Sequence, residues 1–274
     1  MHRRHFLQAL ALPLLDQLHP MLLVSGRRLD RIGLQLYTVR DLMQADVART
    51  LEQVAEIGYR EVEFAGYFGV APRRIRDLLD GLGLASPSTH LSLRELGPEL
   101  PRTLELAEAI GHRYLVVPSL DEKDRRTLDD FRRVAAALNR AGEAARARGL
   151  QVGYHNHDFE LAPIEGVRPY DVLLRETDPA LVSFEMDFYW MASGGADPLA
   201  YFDRHPRRFH LCHLKDMDSA GDMADVGAGG LDFGALLRRR DEAGLRHFYV
   251  EHDHPRDPLA SVRASHRFLR SLEV

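Results

Sequence analysis

The stretch Leu-Gln-Val-Gly-Tyr-His-Asn-His-Asp-Phe-Glu at residues 150–160 joins a short apolar run to a cluster of polar side chains. The apolar part predicts a buried strand, and the polar part begins where that strand ends. Alternate side chains of an extended segment share a face, so His155 and His157 can point the same way, with Glu160 reachable from the following loop. Taken alone, the stretch also fits a surface loop that happens to be rich in histidine.

The same arrangement occurs three more times further along the chain. Apolar runs end in Asp187, in His213 and in Glu251. Each of these residues alone could be a hydrogen-bonded structural residue, but four such strand ends together predict a metal site. Imidazole and carboxylate ligands with open positions suit Mn²⁺, Zn²⁺, Co²⁺ or Fe²⁺.

Around this stretch, the chain alternates short apolar runs with longer amphipathic ones from residue 31 onward, which is typical of repeated βα units and a parallel sheet. Eight such pairs predict a single (β/α)₈ TIM barrel, an α/β fold whose chemistry lies at the carboxyl ends of the strands. The predicted strands are 32–36, 61–64, 84–89, 114–117, 151–155, 182–186, 209–213 and 248–251, and the predicted helices are 47–57, 72–82, 99–110, 127–148, 169–177, 198–204, 233–243 and 258–272.

Composition is that of an ordinary soluble globular protein, with 45% hydrophobic and 28% charged residues among 274. The net charge of −5 and the lack of a basic stripe argue against a nucleic-acid partner. A single cysteine, Cys212, excludes an internal disulfide.

The first thirty residues differ from the rest. Arg3 and Arg4 precede a short apolar run, an arrangement that resembles a twin-arginine export signal and predicts an exported, periplasmic protein. Asp16 and His19 interrupt the apolar run, so a plain N-terminal extension of a cytoplasmic protein is the alternative. The run is too short for a stable membrane anchor. The predicted organisation is a leader at 1–30 and a barrel at 31–274.

Several motifs together resemble the xylose isomerase-like TIM barrel superfamily, the group of sugar phosphate isomerases/epimerases and family 2 AP endonucleases. They are Ile-Gly-Leu-Gln-Leu-Tyr-Thr-Val-Arg at 32–40, the stretch 153–160, Glu-Met-Asp at 185–187, His-Leu-Lys-Asp at 213–216, Asp-Val-Gly-Ala-Gly at 225–229 and Val-Glu at 250–251. The resemblance implies a divalent metal held by one residue from each of four strands, here His155, Asp187, His213 and Glu251.

One position departs from this pattern. Superfamily members that isomerise ketoses usually carry a glutamate where this chain has His155, and that glutamate belongs to a facing acid/base pair. Glu160 or His157 could supply the missing group. The His-Asn-His sequence around Asn156 is also similar to the inosose dehydratase-like branch.

The chemistry that the resemblance implies is proton abstraction next to a carbonyl through an enediolate. Glu251 is the preferred base, with His155 or Glu160 on the opposite side. Lys215 could stabilise a developing oxyanion; the equally weighted alternative is a salt bridge to Asp216 or Glu185.

Other residues are predicted to contact the substrate. His90 lies at the end of the third strand, although a structural histidine would fit there nearly as well. Trp190 could form an apolar wall for a sugar ring. The glycine-rich segment 218–230 predicts a flexible loop over the barrel mouth. The full set of predicted substrate-binding residues is His90, His157, Asn156, Trp190 and Glu185.

These observations favour a metal-dependent sugar isomerase or epimerase with a small-molecule carbohydrate substrate. A dehydratase or lyase acting on a keto sugar or keto-glycoside is the alternative, and so is a sugar-binding barrel without catalysis. An AP endonuclease is disfavoured by the acidic charge and by Pro118, which stands at the end of the fourth strand in place of a histidine. The sequence leaves a homo-oligomer open.

Overall fold

The computed structural model describes residues 28–274, and these form one closed barrel of eight parallel strands surrounded by helices. The predicted (β/α)₈ fold is confirmed. The predicted leader lies outside the described residues except for its last three. No helix in the described part of the chain is long and apolar enough to cross a membrane. The barrel strands are β1 (Gly33–Gln35), β2 (Glu61–Phe64), β3 (Ala85–His90), β4 (Tyr114–Val117), β5 (Gln151–His155), β6 (Val182–Asp187), β7 (Phe209–Leu214) and β10 (His247–Val250), and a separate hairpin contains β8 (Asp216–Met217) and β9 (Met223–Ala224).

The helices lie close to the predicted ranges, with two short additions. A helix directly after β1 and another directly after β6 were not predicted, and the segment predicted as one helix at 233–243 is divided at Arg239 into two. The helices are α1 (Arg40–Ala45), α2 (Val47–Ile57), α3 (Pro72–Leu82), α4 (Leu100–Ile110), α5 (Leu128–Arg146), α6 (Pro169–Glu176), α7 (Phe188–Ser193), α8 (Pro198–Arg204), α9 (Phe233–Arg238), α10 (Arg240–Ala243) and α11 (Pro258–Ser271).

Local sequence signals account for most helix ends. Asp46, Asp197, Asp232 and Asp257 each accept a hydrogen bond from a backbone N–H in the first turn of the following helix. Such caps satisfy donors that have no partner inside the helix. α3 ends at Gly83, whose φ of 65° is a left-handed conformation that costs glycine little.

An apolar layer crosses the barrel interior. Tyr114, Val116, Leu211 and Tyr249 form a buried cluster inside the barrel, separate from the larger core between strands and helices. Gly33 leaves room for this cluster, because a Cβ there would lie 2.4 Å from Cδ1 of Tyr249. The polar side chains of the site therefore rest on an apolar layer.

The segment after β7, predicted to be a flexible loop, is instead tied to the barrel. It contains the β8–β9 hairpin. The carboxylate of Asp216 accepts hydrogen bonds from four backbone N–H groups, those of Met217, Gly227, Gly229 and Leu231. One buried carboxylate thus holds both ends of the segment together.

Candidate metal centre

Four side chains converge at the carboxyl ends of β5, β6, β7 and β10. They are the residues predicted as metal ligands, His155, Asp187, His213 and Glu251, and one potential ligand atom from each lies within 4.8 Å of the others. All four residues are buried. The parallel strands of the barrel bring together residues that are up to 96 positions apart in the sequence, and the arrangement matches the ligand set proposed from it.

Two atoms of this group are buried and make no hydrogen bond. They are Nε2 of His155 and Oδ2 of Asp187, which lie 3.4 Å apart; Oδ2 has only an ion pair with Nζ of Lys215 at 3.1 Å. Buried polar atoms are almost always hydrogen-bonded, so each of these atoms calls for an explanation. A set of two imidazoles and two carboxylates is a donor set that a divalent transition metal accepts, and a metal here would satisfy both atoms.

The surroundings orient the ligands for such a role. Nδ1 of His155 lies 3.1 Å from the carbonyl oxygen of Pro118, which can only accept, so Nδ1 carries the proton and Nε2 offers its lone pair. Oδ1 of Asp187 accepts from the N–H of Trp190 at 3.0 Å, which leaves Oδ2 facing the other ligands. Asn156 accepts from the N–H of Asp187 at 3.1 Å and so fixes the backbone.

Lys215 is a buried cation beside this group. Its Nζ lies 2.8 Å from Glu251, 2.9 Å from Asp253 and 3.1 Å from Asp187. Burial alone would lower the pKa of Lys215, but these carboxylates outweigh it and raise the pKa above its usual value. The predicted alternative partners, Asp216 and Glu185, are wrong, because Asp216 is occupied by backbone N–H groups and the ammonium lies among three other carboxylates.

A second polar group lies beside the first and shares His213. Nε2 of His213 lies 2.8 Å from Oε2 of Glu63, and Nε2 of His90 lies 2.7 Å from Glu185 and 3.2 Å from Glu63. Burial alone would lower the pKa of His90, but the two carboxylates raise it to about 9. The sequence places Glu63 at a strand end, within the run Val-Glu-Phe of β2, but no role was predicted for it.

An open cavity of about 550 Å³ lies above these groups. Its walls include His155, Glu251 and Lys215 from the centre and His90 and His157 from the sides. Tyr37, Tyr67 and Glu95 form the outer part. Of the predicted substrate-binding residues, His90 and His157 line this cavity, whereas Glu185, Asn156 and Trp190 do not.

Trp190 and Glu160 lie behind the cavity wall. The ring of Trp190 packs on that of His157, with centroids 5.0 Å apart.

Glu160 is fully buried, accepting from the hydroxyl of Tyr154 at 2.6 Å and from the N–H of His157 at 2.8 Å. Burial raises the pKa of Glu160 to about 7. Burial lowers the pKa of His157 to about 3. His157 therefore lines the cavity as a neutral imidazole held in place by both residues.

Sequence comparison agrees with this geometry. The sequence model of the xylose isomerase-like TIM barrel family matches residues 51–272, most of the chain. The chain belongs to this family. Among curated relatives, inosose dehydratase of Lacticaseibacillus casei is 25% identical over 189 residues, which are 62% of this chain and 63% of that protein. The match therefore covers less than two thirds of that relative's length.

Solved structures show the same family fold. A sugar phosphate isomerase/epimerase from Parabacteroides distasonis is 29% identical, with a TM-score of 0.74 over 90% of this chain and 96% of that one. An L-ribulose 3-epimerase, 17% identical, has a TM-score of 0.69 over 88% of this chain and 93% of its own. The second likeness is one of fold alone.

Proposed function

We propose that this family member is a divalent-metal-dependent sugar isomerase or epimerase that moves a proton next to a carbonyl. The observation that carries the proposal is the convergence of His155, Asp187, His213 and Glu251 beneath the cavity, with Nε2 of His155 buried and without a hydrogen-bond partner. The isomerase/epimerase name of the Parabacteroides distasonis protein supports the same class.

The residues of the centre divide the chemistry between them. His155, Asp187, His213 and Glu251 would hold the metal, which when bound supplies Lewis-acid polarisation of a carbonyl and an adjacent hydroxyl. Glu251 faces the cavity and is the base that takes the proton from the substrate carbon, leaving an enediolate. Lys215, beside Glu251, contributes a fixed positive charge where negative charge develops on the substrate.

The opposite wall of the cavity offers a neutral hydrogen-bonding surface. His157 presents an imidazole whose pKa is lowered, so it contacts substrate hydroxyls without adding charge. Epimerisation would need a second proton carrier on this side of the cavity, and His157 is the residue there that reaches the cavity. Glu160 supports His157 from behind and acts through it.

The cavity favours an uncharged substrate over a sugar phosphate. Among the described residues that line it, Lys215 is the only lysine or arginine, and its ammonium is already surrounded by three carboxylates. Glu95 and Asp253 add negative charge to the wall. Phosphate is usually bound by arginine forks or by backbone N–H groups at helix N-termini, so a neutral keto sugar fits this wall better.

A dehydratase acting on a keto sugar or keto-glycoside is the second candidate, and the curated inosose dehydratases support it. Elimination begins with the same proton abstraction, after which a hydroxyl leaves from the next carbon. His155 favours this branch. It stands where ketose isomerases carry one glutamate of their acid/base pair, so this chain lacks one of the two carboxylates of that pair.

One experiment separates the candidates. Metal-loaded protein is incubated in D₂O with neutral ketoses, inososes and ketose phosphates, and products are followed by NMR. Deuterium at the carbon next to the carbonyl with an epimer or aldose product supports the first candidate, and loss of water supports the second. Binding of sugar without exchange from any substrate would contradict both and favour a sugar-binding barrel.

The predicted leader leads to a separate proposal, that the protein is exported to the periplasm by the twin-arginine route. Its support is the Arg3-Arg4 pair before an apolar run. Residues 1–30 fused to a reporter should direct export, and Arg3→Lys combined with Arg4→Lys should abolish it. A reporter that stays in the cytoplasm with the native sequence would contradict the proposal.

A further inference from the structure

We infer that Glu63 is the positioning residue of the metal centre, which fixes His213 so that Nδ1, and not Nε2, binds the metal. This inference rests on the proposed metal centre and adds to it a residue outside the four ligands. Glu63 is fully buried at the carboxyl-terminal end of β2, a strand that supplies no ligand.

The first step concerns the proton on His213. Its Nε2 lies 2.8 Å from Oε2 of Glu63, and its Nδ1 lies 2.8 Å from Oε2 of Glu251. Carboxylate oxygens accept and do not donate, so each ring nitrogen faces an acceptor. Only the Nδ1 side adjoins Asp187 and Glu251, two of the other three proposed ligands, so a metal would replace the proton on Nδ1. Nε2 keeps its proton and donates it to Glu63.

The second step is that Glu63 is itself held from several sides. Its Oε2 accepts from Nε2 of Gln35 at 2.7 Å and faces Nε2 of His90 at 3.2 Å, and its Oε1 accepts from the hydroxyl of Ser88. The amide of Gln35 is oriented in turn, because its Oε1 accepts from the N–H of Tyr37 at 3.0 Å. The carboxylate is therefore fixed before any metal binds.

The two histidine ligands are oriented by different groups. His155 donates its second N–H to a neutral carbonyl, that of Pro118, whereas His213 donates to a carboxylate. A carboxylate partner makes an imidazole more basic and strengthens its bond to a metal. Glu63 is thus expected to influence metal affinity more than the carbonyl partner of His155 does.

Glu63, His90, Glu185 and His213 are also close enough to hold a metal themselves. The contacts favour positioning, because both oxygens of Glu63 already accept hydrogen bonds from Gln35 and Ser88. A metal at Nε2 would also need His213 to give up the proton it donates to Glu63.

The test compares Glu63→Gln with Glu61→Gln. Glu61 lies on the same strand and face, and its Oε2 lies 2.8 Å from His247, so the control also removes a buried carboxylate–imidazole pair. Zn²⁺ affinity is measured by competition with a chelator, Co²⁺ binding by its visible absorption, metal content by elemental analysis, and stability by urea unfolding without metal. Glu63→Gln should lose about 10- to 100-fold in Zn²⁺ affinity and shift the Co²⁺ spectrum. Glu61→Gln should lower stability and leave both metal readouts unchanged.

The outcomes are distinct. Equal metal affinities for the two variants and the wild type would overturn the role of Glu63 and leave the metal centre in place. Two metals per wild-type chain that fall to one in Glu63→Gln would overturn it as well, since Glu63 would then be a ligand. A wild type that binds no metal would overturn the proposed centre itself. If Glu63→Gln does not fold, Ser88→Ala, which removes one support of the carboxylate, should weaken Zn²⁺ binding in the same direction.

Discussion

The two ends of the barrel interior contain similar side chains arranged for different purposes. At the amino end of the strands, Glu61 pairs with His247 at 2.8 Å and faces Arg31, while the ring of Tyr114 packs against His247. At the carboxyl end, Nε2 of His155 makes no hydrogen bond, and Oδ2 of Asp187 has only the ion pair with Lys215. Carboxylate–histidine pairs alone therefore do not identify a site. What distinguishes the carboxyl end is that potential ligand atoms of four residues lie within 4.8 Å of one another.

The charges at the two ends differ in the same way. Near the candidate centre, the buried carboxylates of Glu63, Glu185, Asp187 and Glu251 outnumber the buried cations by one. The ammonium of Lys215 is joined by the imidazoles of His90 and His213, because these carboxylates outweigh burial and raise the pKa of both rings. Burying unpaired charge is costly, so this excess would be relieved by a bound dication. At the amino end, an exposed arginine and a half-buried histidine face the one carboxylate of Glu61. The charges at the carboxyl end therefore lower the stability of the metal-free protein, and a bound metal should stabilise that end more than the amino end.

The largest expected effect is on catalysis at the carboxyl end. Glu251→Gln should lower the rate of deuterium exchange next to the substrate carbonyl by about 10²- to 10⁴-fold, because an amide cannot accept the proton. NMR in D₂O measures the exchange, and elemental analysis of the same sample reports metal content. Exchange at the wild-type rate with metal bound would place the base elsewhere, with His157 the next residue to replace.

His155→Glu, which restores the ketose isomerase pattern, should raise isomerisation relative to elimination.

The next effect is on stability. Lys215→Met should lower the free energy of unfolding of the metal-free protein by about 3–5 kcal/mol, since three carboxylates lose their buried partner. Added Zn²⁺ should recover part of this loss, because it neutralises two of the same carboxylates. At the other end of the barrel, Arg31→Met should change stability by no more than about 0.5 kcal/mol, as its side chain is 69% exposed. Urea unfolding of both variants, each with and without Zn²⁺, checks these predictions. Equal losses of free energy of unfolding in the two variants would contradict the comparison.

A pH dependence is expected from Glu160, the carboxylate at this end that stands outside the centre. Burial raises its pKa in the folded protein to about 7, above the ordinary value near 4.5. The folded state then binds the proton more tightly, so the stabilising contribution is complete below pH 4.5 and is lost as pH rises through about 7. From low to high pH the loss is about 3 kcal/mol.

The Glu160→Gln variant supplies the reference. Urea unfolding in the presence of a chelator is measured across this pH range. The free energy of unfolding of the wild type, relative to that of the variant, should fall as pH rises through about 7. Other titrating groups cancel in that difference. A flat difference would mean that Glu160 is ionised in the folded protein and that its hydrogen bonds from Tyr154 and His157 outweigh burial.

The smallest effect on the candidate centre is expected from Glu61, at the amino end. Glu61→Gln should cost about 1–3 kcal/mol of stability by breaking the pair with His247, and it should leave deuterium exchange and Zn²⁺ affinity at wild-type values. The same urea, NMR and chelator measurements apply. A loss of metal binding in this variant would show that the two ends are coupled through β2, and the division proposed between them would fail.

Much of the fold could be predicted because its signals are local. The ranges predicted for β2, β4 and β5 agree with the structure, as does the range of α2, which begins after the capping Asp46. α7 was not predicted, because its sequence Phe-Tyr-Trp-Met reads as an apolar run. Its start depends on Asp187, whose carboxylate accepts from the N–H of Trp190 while also facing the other predicted ligands.

The site was predictable where a single strand end carried the signal. The four proposed ligands stand at such ends, and the structure brings them together. The contacts of Lys215 with Asp187, Glu251 and Asp253 were not predictable, since they depend on the order of three strands and the twist of the barrel. Glu63 was missed for the same reason: its partner His213 is 150 residues away.

The carboxylate of Asp216, with its four backbone N–H partners, has a consequence for the thermodynamics of substrate binding. The segment it holds stands beside the barrel mouth, and its backbone is ordered during folding. Gly229 shows how closely it is packed, since a Cβ there would lie 2.4 Å from the carbonyl oxygen of Met217. A sugar that enters the cavity therefore does not have to order this segment. The conformational entropy that many enzymes lose when a loop closes over a ligand has, along this side of the mouth, already been lost on folding.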